Sequence, residues 1–285
     1  MAELLRLAAF TTDPSGGNPA GVWIGDALPS ADEMQGLASE VGYSETAFLA
    51  PDGSGSPGRL QVRYFSPAKE IDFCGHATIA SGVALAERGW PSSMLLRTND
   101  GEVGLDIDRD PEGRFRSTLT SVEPWVSALP EGLLDRLLGL LGWRSEELDP
   151  TLPPMLAFAG VRHPIIAVRS LETLGRVEYD FAAMRSLMLE HDLTTIQLVW
   201  RENPTRFRAR DPFAAGGVVE DPATGAAAAA LGAYLRERGE ITAPATFEIV
   251  QGVEMGRPSL LTVSVVEGDP RVRVSGTAVA IGPIP

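Results

Sequence analysis

The chain has 285 residues, a formal net charge of −14 at pH 7 and a hydrophobic content of 44%. This length allows one large domain or two medium ones, and the apolar content is enough to form a buried core. The acidic excess excludes the basic surface that nucleic acids or anionic membranes require, and the single cysteine excludes an internal disulfide. Because the apolar N-terminal segment is short and contains Glu3, it does not resemble a signal peptide, and a cytoplasmic protein is expected.

The first part of the chain is predicted to contain strands and two helices. Strand patterns occur at LRLAAF, VWI, SETAFLA and LQVRYF (residues 5–10, 22–24, 44–50 and 60–65), with a Gly- and Pro-rich loop between the first two. Ser30 followed by Glu33 forms a capping box, which predicts a helix over 31–41. The Ala-rich segment after Cys74 predicts a second helix over about 76–88, ending at Gly89.

The second part of the chain repeats this order. Residues 121–130 contain two prolines and are predicted to be a crossover, and an amphipathic helix is predicted over 129–143. A strand pattern, TTIQLVW, covers 194–200. The segment ATGAAAAALGAYL (223–235) is apolar on nearly all sides, so it is predicted to be a buried helix.

A constant offset of 150 residues relates the two parts. Met34 aligns with Met184, Gly75 with Gly225, and the ERG sequence at 87–89 with that at 237–239. The alternative is a chance likeness between Ala-rich helices. We predict an α+β fold of two pseudo-repeated halves, each a mostly antiparallel sheet or barrel around a buried Ala/Gly-rich helix. The predicted bounds are 1–122, completed by the C-terminal strand 271–285, and 123–270.

The two buried helices begin at comparable sequences, CGHAT and DPATGAA. A helix N-terminus presents backbone N–H groups and a partial positive charge. Two such ends facing each other across the halves would bind a carboxylate without an arginine. Gly75 and Gly225 would let the ligand approach the backbone closely; the alternative is that they only permit tight helix starts.

Proton-transfer candidates lie near these helix starts, and each has a structural alternative. His76 can relay protons, or it can line the core. Asp221 can act in catalysis, or it can cap the second helix. Glu45 is a carboxylate at the head of an apolar strand, or a glutamate that faces solvent. Cys74 can act as a thiol base beside a helix N-terminus, or as a small buried apolar residue.

Five motifs, FTTDPSGGNPAGV, GYSETAFL, FSPAKEIDFCGHAT, EDPATGAA and QGVEMGRPS, occur in this order between residues 10 and 259. Together they resemble the PhzF-like family, named for a phenazine-biosynthesis isomerase, within the diaminopimelate epimerase fold. The resemblance implies an active site in a cleft between two pseudo-equivalent halves. It also implies proton movement on a small carboxylic acid without a metal or organic cofactor, and a homodimer.

The resemblance assigns roles to ten residues. The catalytic residues are predicted to be Glu45, His76 and Asp221. The substrate-binding residues are predicted to be Asn18, Ser44, Cys74, Gly75, Thr224, Gly225 and Ala226. Ala226 stands where the phenazine enzyme usually has serine, which puts the phenazine precursor in doubt as the substrate. Cys74 stands at a thiol position of diaminopimelate epimerase, but its counterpart is Thr224, which puts a paired-thiol racemase in doubt.

The predicted function is a cofactor-independent isomerase that moves a proton on a small carboxylic-acid metabolite. Under the offset of 150, Glu45 aligns with Thr195, so the repeat provides one principal base. One alternative is an amino-acid-type racemase or epimerase in which Cys74 or Asp221 is the opposing base. Another is a non-catalytic protein that binds a small carboxylate. No metal site, nucleic-acid partner or membrane partner is predicted.

Overall fold

The computed structural model describes residues 2–99 and 101–282. The chain divides into two compact units, Met1–Thr120 with Ser275–Pro285, and Ser121–Val274. The bounds predicted above are 1–122 with 271–285, and 123–270. In the described part of the chain, no helix is long and apolar enough to span a membrane.

The first unit is formed mainly by residues before 121, and the end of the last strand of the chain completes it. Its elements are β1 (Glu3–Ala9), β2 (Asn18–Ile24), α1 (Ala31–Val41), β3 (Glu45–Pro51), β4 (Arg59–Phe65), β5 (Glu70–Ile71), α2 (Gly75–Glu87), β6 (Ser93–Thr98), β7 (Gly101–Arg109) and β8 (Phe115–Thr120).

The second unit begins with a short strand where the sequence predicts only a crossover. Its elements are β9 (Trp125–Ser127), α3 (Leu133–Leu141), β10 (Met155–Phe158), β11 (Arg162–Val168), α4 (Leu171–Gly175), α5 (Phe181–Glu190), β12 (Gln197–Asn203), β13 (Arg206–Arg210), α6 (Gly225–Glu237), β14 (Ala245–Gln251), β15 (Ser259–Val265) and β16 (Val272–Ala280). The last strand, β16, begins in this unit and ends in the first.

The strands of the first unit close into a barrel. Their order is β1-β2-β3-β4-β6-β7-β8-β16, and β1 also pairs with β16 through Leu7–Ala280, Ala8–Val279 and Ala9–Ala278. Two neighbouring pairs, β2–β3 and β4–β6, are parallel. Helix α2 contacts strands on several sides of this barrel, and every residue from His76 to Ala86 is buried. The predicted buried helix is therefore confirmed in this unit.

The second unit has the same alternation of strand directions. From β10 to β15 the pairs are antiparallel, parallel, antiparallel, parallel and antiparallel, as they are from β1 to β7. Helix α6 packs on β9, β10, β11 and β15. It begins 150 residues after α2 and has the same length of 13 residues. The predicted α+β fold of two repeated halves is confirmed.

Glycines allow both central helices to lie close to their sheets. A Cβ atom on Gly82 of α2 would lie 2.3 Å from Ser117 Oγ. A Cβ on Gly232 of α6 would lie 2.9 Å from side-chain carbons of Val263 and Val272. These two positions also match under the 150-residue offset. Each helix thus approaches the wall of its own unit at a glycine, because any side chain there would displace its neighbours.

Two element boundaries differ from the sequence predictions. Strand β2 begins at Asn18 rather than near residue 22, because pairing with β1 extends back to Ala9–Asn18. Helix α3 begins at Leu133, because Gly132 before it has a positive φ of 73°, which does not occur inside a right-handed helix. The capping box of Ser30 and Glu33 is formed as predicted, and helix α1 covers residues 31–41.

Candidate functional site

A cluster of three reactive side chains forms where β3 begins beside the N-terminus of α2. Cys74 Sγ lies 3.4 Å from His76 Nδ1 and 3.6 Å from Glu45 Oε2. His76 Nε2 lies 3.4 Å from Glu45 Oε2 and 3.5 Å from the hydroxyl of Ser44. The sequence-predicted residues Ser44, Glu45, Cys74 and His76 therefore come together in the first unit. We call Glu45, Cys74 and His76 the acid–thiol–imidazole cluster.

The orientation of Glu45 decides between its two sequence interpretations. Its side chain is 15% exposed and contacts buried His76, so it is not a solvent-facing glutamate. Glu45 pairs with Ala20 of the parallel strand β2, and paired residues share a face of the sheet. Asn18, two residues before Ala20, lies on the same face and is buried. The register thus brings Asn18 to the face that carries Glu45.

The start of α2 is held in place by two buried hydroxyl groups, of which one, Thr78, is the last residue of the CGHAT motif. Thr78 donates to the backbone carbonyl of Cys74 at 2.7 Å, and its hydroxyl lies 2.6 Å from that of Tyr64. Both side chains are fully buried. Gly75 follows directly as the first helical residue. The N–H groups of this first helical turn create a positive potential, which favours an anionic group near Glu45 and His76.

The second unit has its own polar group at the start of α6. Thr224 is the N-cap residue, and its hydroxyl donates to Asp221 Oδ2 at 2.7 Å. Gln251 donates to the backbone carbonyl of Asp221 at 2.8 Å and accepts from the Thr224 N–H at 3.3 Å. The structure therefore brings Asp221 and Thr224 together and fixes both through Gln251. The Thr224 side chain makes no capping hydrogen bond to the helix.

Gly225 and Ala226 form the first turn of α6, as Gly75 and His76 do in α2. Gly225 is buried, and Ala226 is partly exposed. Neither offers a side-chain hydrogen-bonding group, so their contribution to ligand binding is restricted to backbone N–H groups. The helix starts are thus alike in backbone, whereas only the one in the first unit carries an imidazole.

Behind Asp221 lies a fully buried polar chain that the motifs do not predict. His163 Nδ1 lies 2.9 Å from the hydroxyl of Thr195, which donates to Asp211 Oδ1 at 3.0 Å. The backbone carbonyl of Asp211 in turn accepts from the N–H of Asp221 at 3.0 Å. Thr195 is the residue that aligns with Glu45 in the repeat. The second unit therefore has a fully buried carboxyl group at Asp211, the residue after β13, rather than at the position of Glu45.

The buried environment changes the protonation of this chain. Burial raises the pKa of the Asp211 carboxyl well above its usual range, and the charges of Asp221 and Glu220 raise it further, against the hydrogen bond from Thr195. Burial also lowers the pKa of His163 to about 3. Within the described residues, Asp211 Oδ2 has no hydrogen-bond partner to favour its ionised form.

Asp211→Asn is expected to change the pH dependence of stability. The pKa of Asp211 is higher in the folded state than in the unfolded state. Its contribution to the free energy of unfolding is therefore fully present below the unfolded-state pKa, near 4, and is lost as the pH rises through the folded-state pKa. The wild type should therefore lose stability relative to the variant by up to about 1.4 kcal/mol per pH unit within that window. Urea unfolding of both proteins between pH 4 and 8 measures the difference, and parallel curves would contradict the raised pKa.

Sequence reasoning missed three groups that shape these sites: the Tyr64–Thr78 pair, although Thr78 ends the CGHAT motif, Gln251, and the chain from His163 to Asp211. Gln251 begins the QGVEMG motif, so a signal for it was present. Asp211 precedes a proline and reads as an ordinary turn residue. Only the pairing of β11, β12 and β13 brings His163, Thr195 and Asp211 to one face.

Comparisons with known proteins show the family and the fold of this chain. A family model described as phenazine biosynthesis-like protein matches residues 7–282. A trans-2,3-dihydro-3-hydroxyanthranilate isomerase of Pseudomonas fluorescens is 32% identical over 286 residues, covering 99% of this chain and 98% of that protein. An uncharacterised isomerase of Bacillus subtilis is 31% identical over 290 residues, covering 98% and 96%. The crystal structure of a PhzF-family protein of Bacillus anthracis has a TM-score of 0.87 at 26% identity, covering 99% and 98%.

The relatives that match along nearly their full length are named isomerases, in agreement with the predicted class of enzyme. The family model also covers all the sequence-predicted site residues, from Asn18 to Ala226. This chain is therefore an isomerase-type enzyme that belongs to the phenazine biosynthesis-like, or PhzF, protein family.

Proposed function

We propose that the protein is an acid–base isomerase that moves a proton between two carbon atoms of a small carboxylic acid, without an organic cofactor. The observation that carries this proposal is the position of Glu45 at the N-terminus of α2, in contact with Cys74 and His76. A positioned carboxylate can abstract an acidic C–H proton next to an unsaturated or carbonyl group. The same group can return the proton to another carbon.

The surroundings of Glu45 support this role. His76 Nε2 contacts Glu45 Oε2 at 3.4 Å, and it also lies 3.5 Å from the Ser44 hydroxyl. The first-turn N–H groups at Gly75 and His76 suit a substrate carboxylate or a developing negative charge. The proposal also includes four residues of the second unit. Asp221 takes part in proton transfer, and Thr224, Gly225 and Ala226 bind the substrate.

A racemase that uses Glu45 and Cys74 as opposing bases does not fit the cluster. Two such bases must lie on opposite sides of one carbon, each at about 3 Å, and are therefore about 6 Å apart. Cys74 Sγ and Glu45 Oε2 are separated by 3.6 Å. This separation leaves no room for a substrate carbon between them, so Cys74 does not fit as the base that opposes Glu45.

The proposal is tested by incubating the protein with a panel of small unsaturated or hydroxylated carboxylic acids in deuterium oxide. Trans-2,3-dihydro-3-hydroxyanthranilate belongs in the panel because it is named for the Pseudomonas relative. We expect NMR to show a product isomer with deuterium at a new carbon, with no cofactor added and a chelator present. Tight binding of an acid without any deuterium exchange would instead indicate the non-catalytic binding protein.

A further inference from the structure

The acid–thiol–imidazole cluster consists of three different metal-ligand types. The distances between the ligand atoms are 3.6 Å for Cys74 Sγ to Glu45 Oε2, 3.4 Å for Glu45 Oε2 to His76 Nε2, and 3.9 Å for Cys74 Sγ to His76 Nε2. A circle through these atoms has a radius of about 2.1 Å, close to zinc bond lengths of about 2.0–2.3 Å. The cluster therefore has the size of a zinc site. Because Cys74 Sγ lies closer to His76 Nδ1, at 3.4 Å, than to Nε2, the imidazole must turn about its side-chain bonds to direct the Nε2 lone pair at the cation, whereas the backbone need not move.

The ligand types favour one class of cation. Thiolate and imidazole ligands suit Zn²⁺, whereas Mg²⁺ and Ca²⁺ prefer sites made of oxygen atoms. Three protein ligands with one open position differ from the closed four-ligand sites of structural zinc. The open position would hold a water molecule or an anion.

The protein already holds the ligands in place. Cys74 and His76 are buried, with 7% and 6% exposure, and Glu45 is anchored by the pairing of β3 with β2. The hydrogen bond from Thr78 to the Cys74 carbonyl fixes the helix start that carries the other two. Because the backbone that carries the three ligands is already ordered, a bound cation would cost little backbone entropy beyond the turn of the imidazole.

We propose that Glu45, Cys74 and His76 bind Zn²⁺ and that bound zinc inhibits the isomerase. The Cys74 thiol would release its proton to solvent, and the thiolate sulfur, Glu45 Oε2 and His76 Nε2 would each donate a lone pair to zinc. Zinc withdraws electron density from the Glu45 carboxylate, so its oxygens become weaker bases and abstract the substrate proton more slowly. The inhibitory part rests on the function proposed above, whereas zinc binding itself does not.

Cobalt(II) titration tests binding without any substrate. We expect one equivalent to give a thiolate-to-cobalt charge-transfer band and the intense visible bands of a four-coordinate ion, both removed by added Zn²⁺. Cys74→Ser should abolish the charge-transfer band and weaken binding by at least about 100-fold, since even outer-shell changes cost 10–100-fold. The control is His191→Ala, which removes a partly buried histidine 3.6 Å from Glu190 and should leave the spectrum unchanged.

A second measurement uses only the wild type, so it does not depend on the folding of a variant. Zn²⁺ should slow alkylation of the single thiol, Cys74, by iodoacetamide at least tenfold, whereas Mg²⁺ should not. An absent charge-transfer band together with unchanged alkylation would overturn the proposed site. If both binding results hold but Zn²⁺ does not slow deuterium exchange into an active substrate, the proposal that zinc inhibits the enzyme is wrong. If no acid in the panel exchanges deuterium, the proposed reaction on small carboxylic acids fails and the zinc site remains.

Discussion

Glu45→Gln is expected to lower the turnover of the proton-transfer reaction by about 10²–10⁴-fold, the usual contribution of a positioned general base. Glutamine has nearly the same shape but cannot accept the substrate proton. The Glu45 side chain contacts both Cys74 and His76, and glutamine fills the same space. The substitution therefore removes the acid–base group without leaving a cavity in the cluster. KM should change much less than kcat, since the helix N-terminus that is proposed to bind the carboxylate is untouched.

The measurement is deuterium incorporation into whichever acid the panel identifies, followed at saturating concentration. The matched control is Glu40→Gln, which makes the same chemical change on the exposed face of α1 and should have no effect on turnover. Both variants should have wild-type circular dichroism. Unchanged deuterium incorporation in Glu45→Gln would show that another group abstracts the proton, and His76 or Asp221 would then be the next candidate.

Glu220→Leu is expected to lower the free energy of unfolding by about 3–5 kcal/mol. Arg210 Nη2 and Glu220 Oε2 lie 2.6 Å apart, and their side chains are only 10% and 5% exposed. Arg210 also donates to the backbone carbonyls of Leu174 and Gly175. The substitution would leave the Arg210 guanidinium buried without the Glu220 carboxylate. The loss of that compensating charge accounts for most of the cost of breaking a buried ion pair.

Two further proteins separate this explanation from a general intolerance of leucine. The double variant Arg210→Met with Glu220→Leu should recover most of the lost stability, because an apolar pair of similar volume avoids the buried charge. Asp108→Leu breaks an exposed pair with Arg116, also 2.6 Å long, and should cost no more than about 1 kcal/mol. Chemical denaturation measures all of them. Equal losses at Glu220 and Asp108 would show that burial does not control the cost.

The repeat explains how much of the fold could be read from the sequence. The same offset that aligns Gly75 with Gly225 also aligns helices α2 and α6, since helix starts and small-residue faces are local features of sequence. Capping of α1 by Ser30 and Glu33 is likewise local, and its bounds were predicted correctly. Strand β9 within residues 125–127 was missed, because three residues carry too little alternation to be recognised.

The candidate sites were predictable only in part. The motifs identified Glu45, Cys74, His76 and Asp221, but each kept a structural alternative, because sequence does not fix the direction of a side chain on a strand. The pairing of Ala20 with Glu45 settles that direction, and it joins residues that are 25 positions apart. A shift of one residue in this register would turn the carboxylate to the opposite face.

By itself, the sequence determined the architecture of two repeated halves, the positions of the two central helices and the family. These depend on composition, periodicity and motif order along the chain. Tertiary structure decided that the acid, thiol and imidazole of the first unit lie within 4 Å of one another. It also decided that a fully buried carboxyl group of the second unit lies at Asp211, where it accepts a hydrogen bond from Thr195. It likewise decided that Glu220 pairs with Arg210, the residue before Asp211. Those contacts depend on strand register and burial, which set the distance between charges and their exclusion from water, and neither quantity is encoded at any single position.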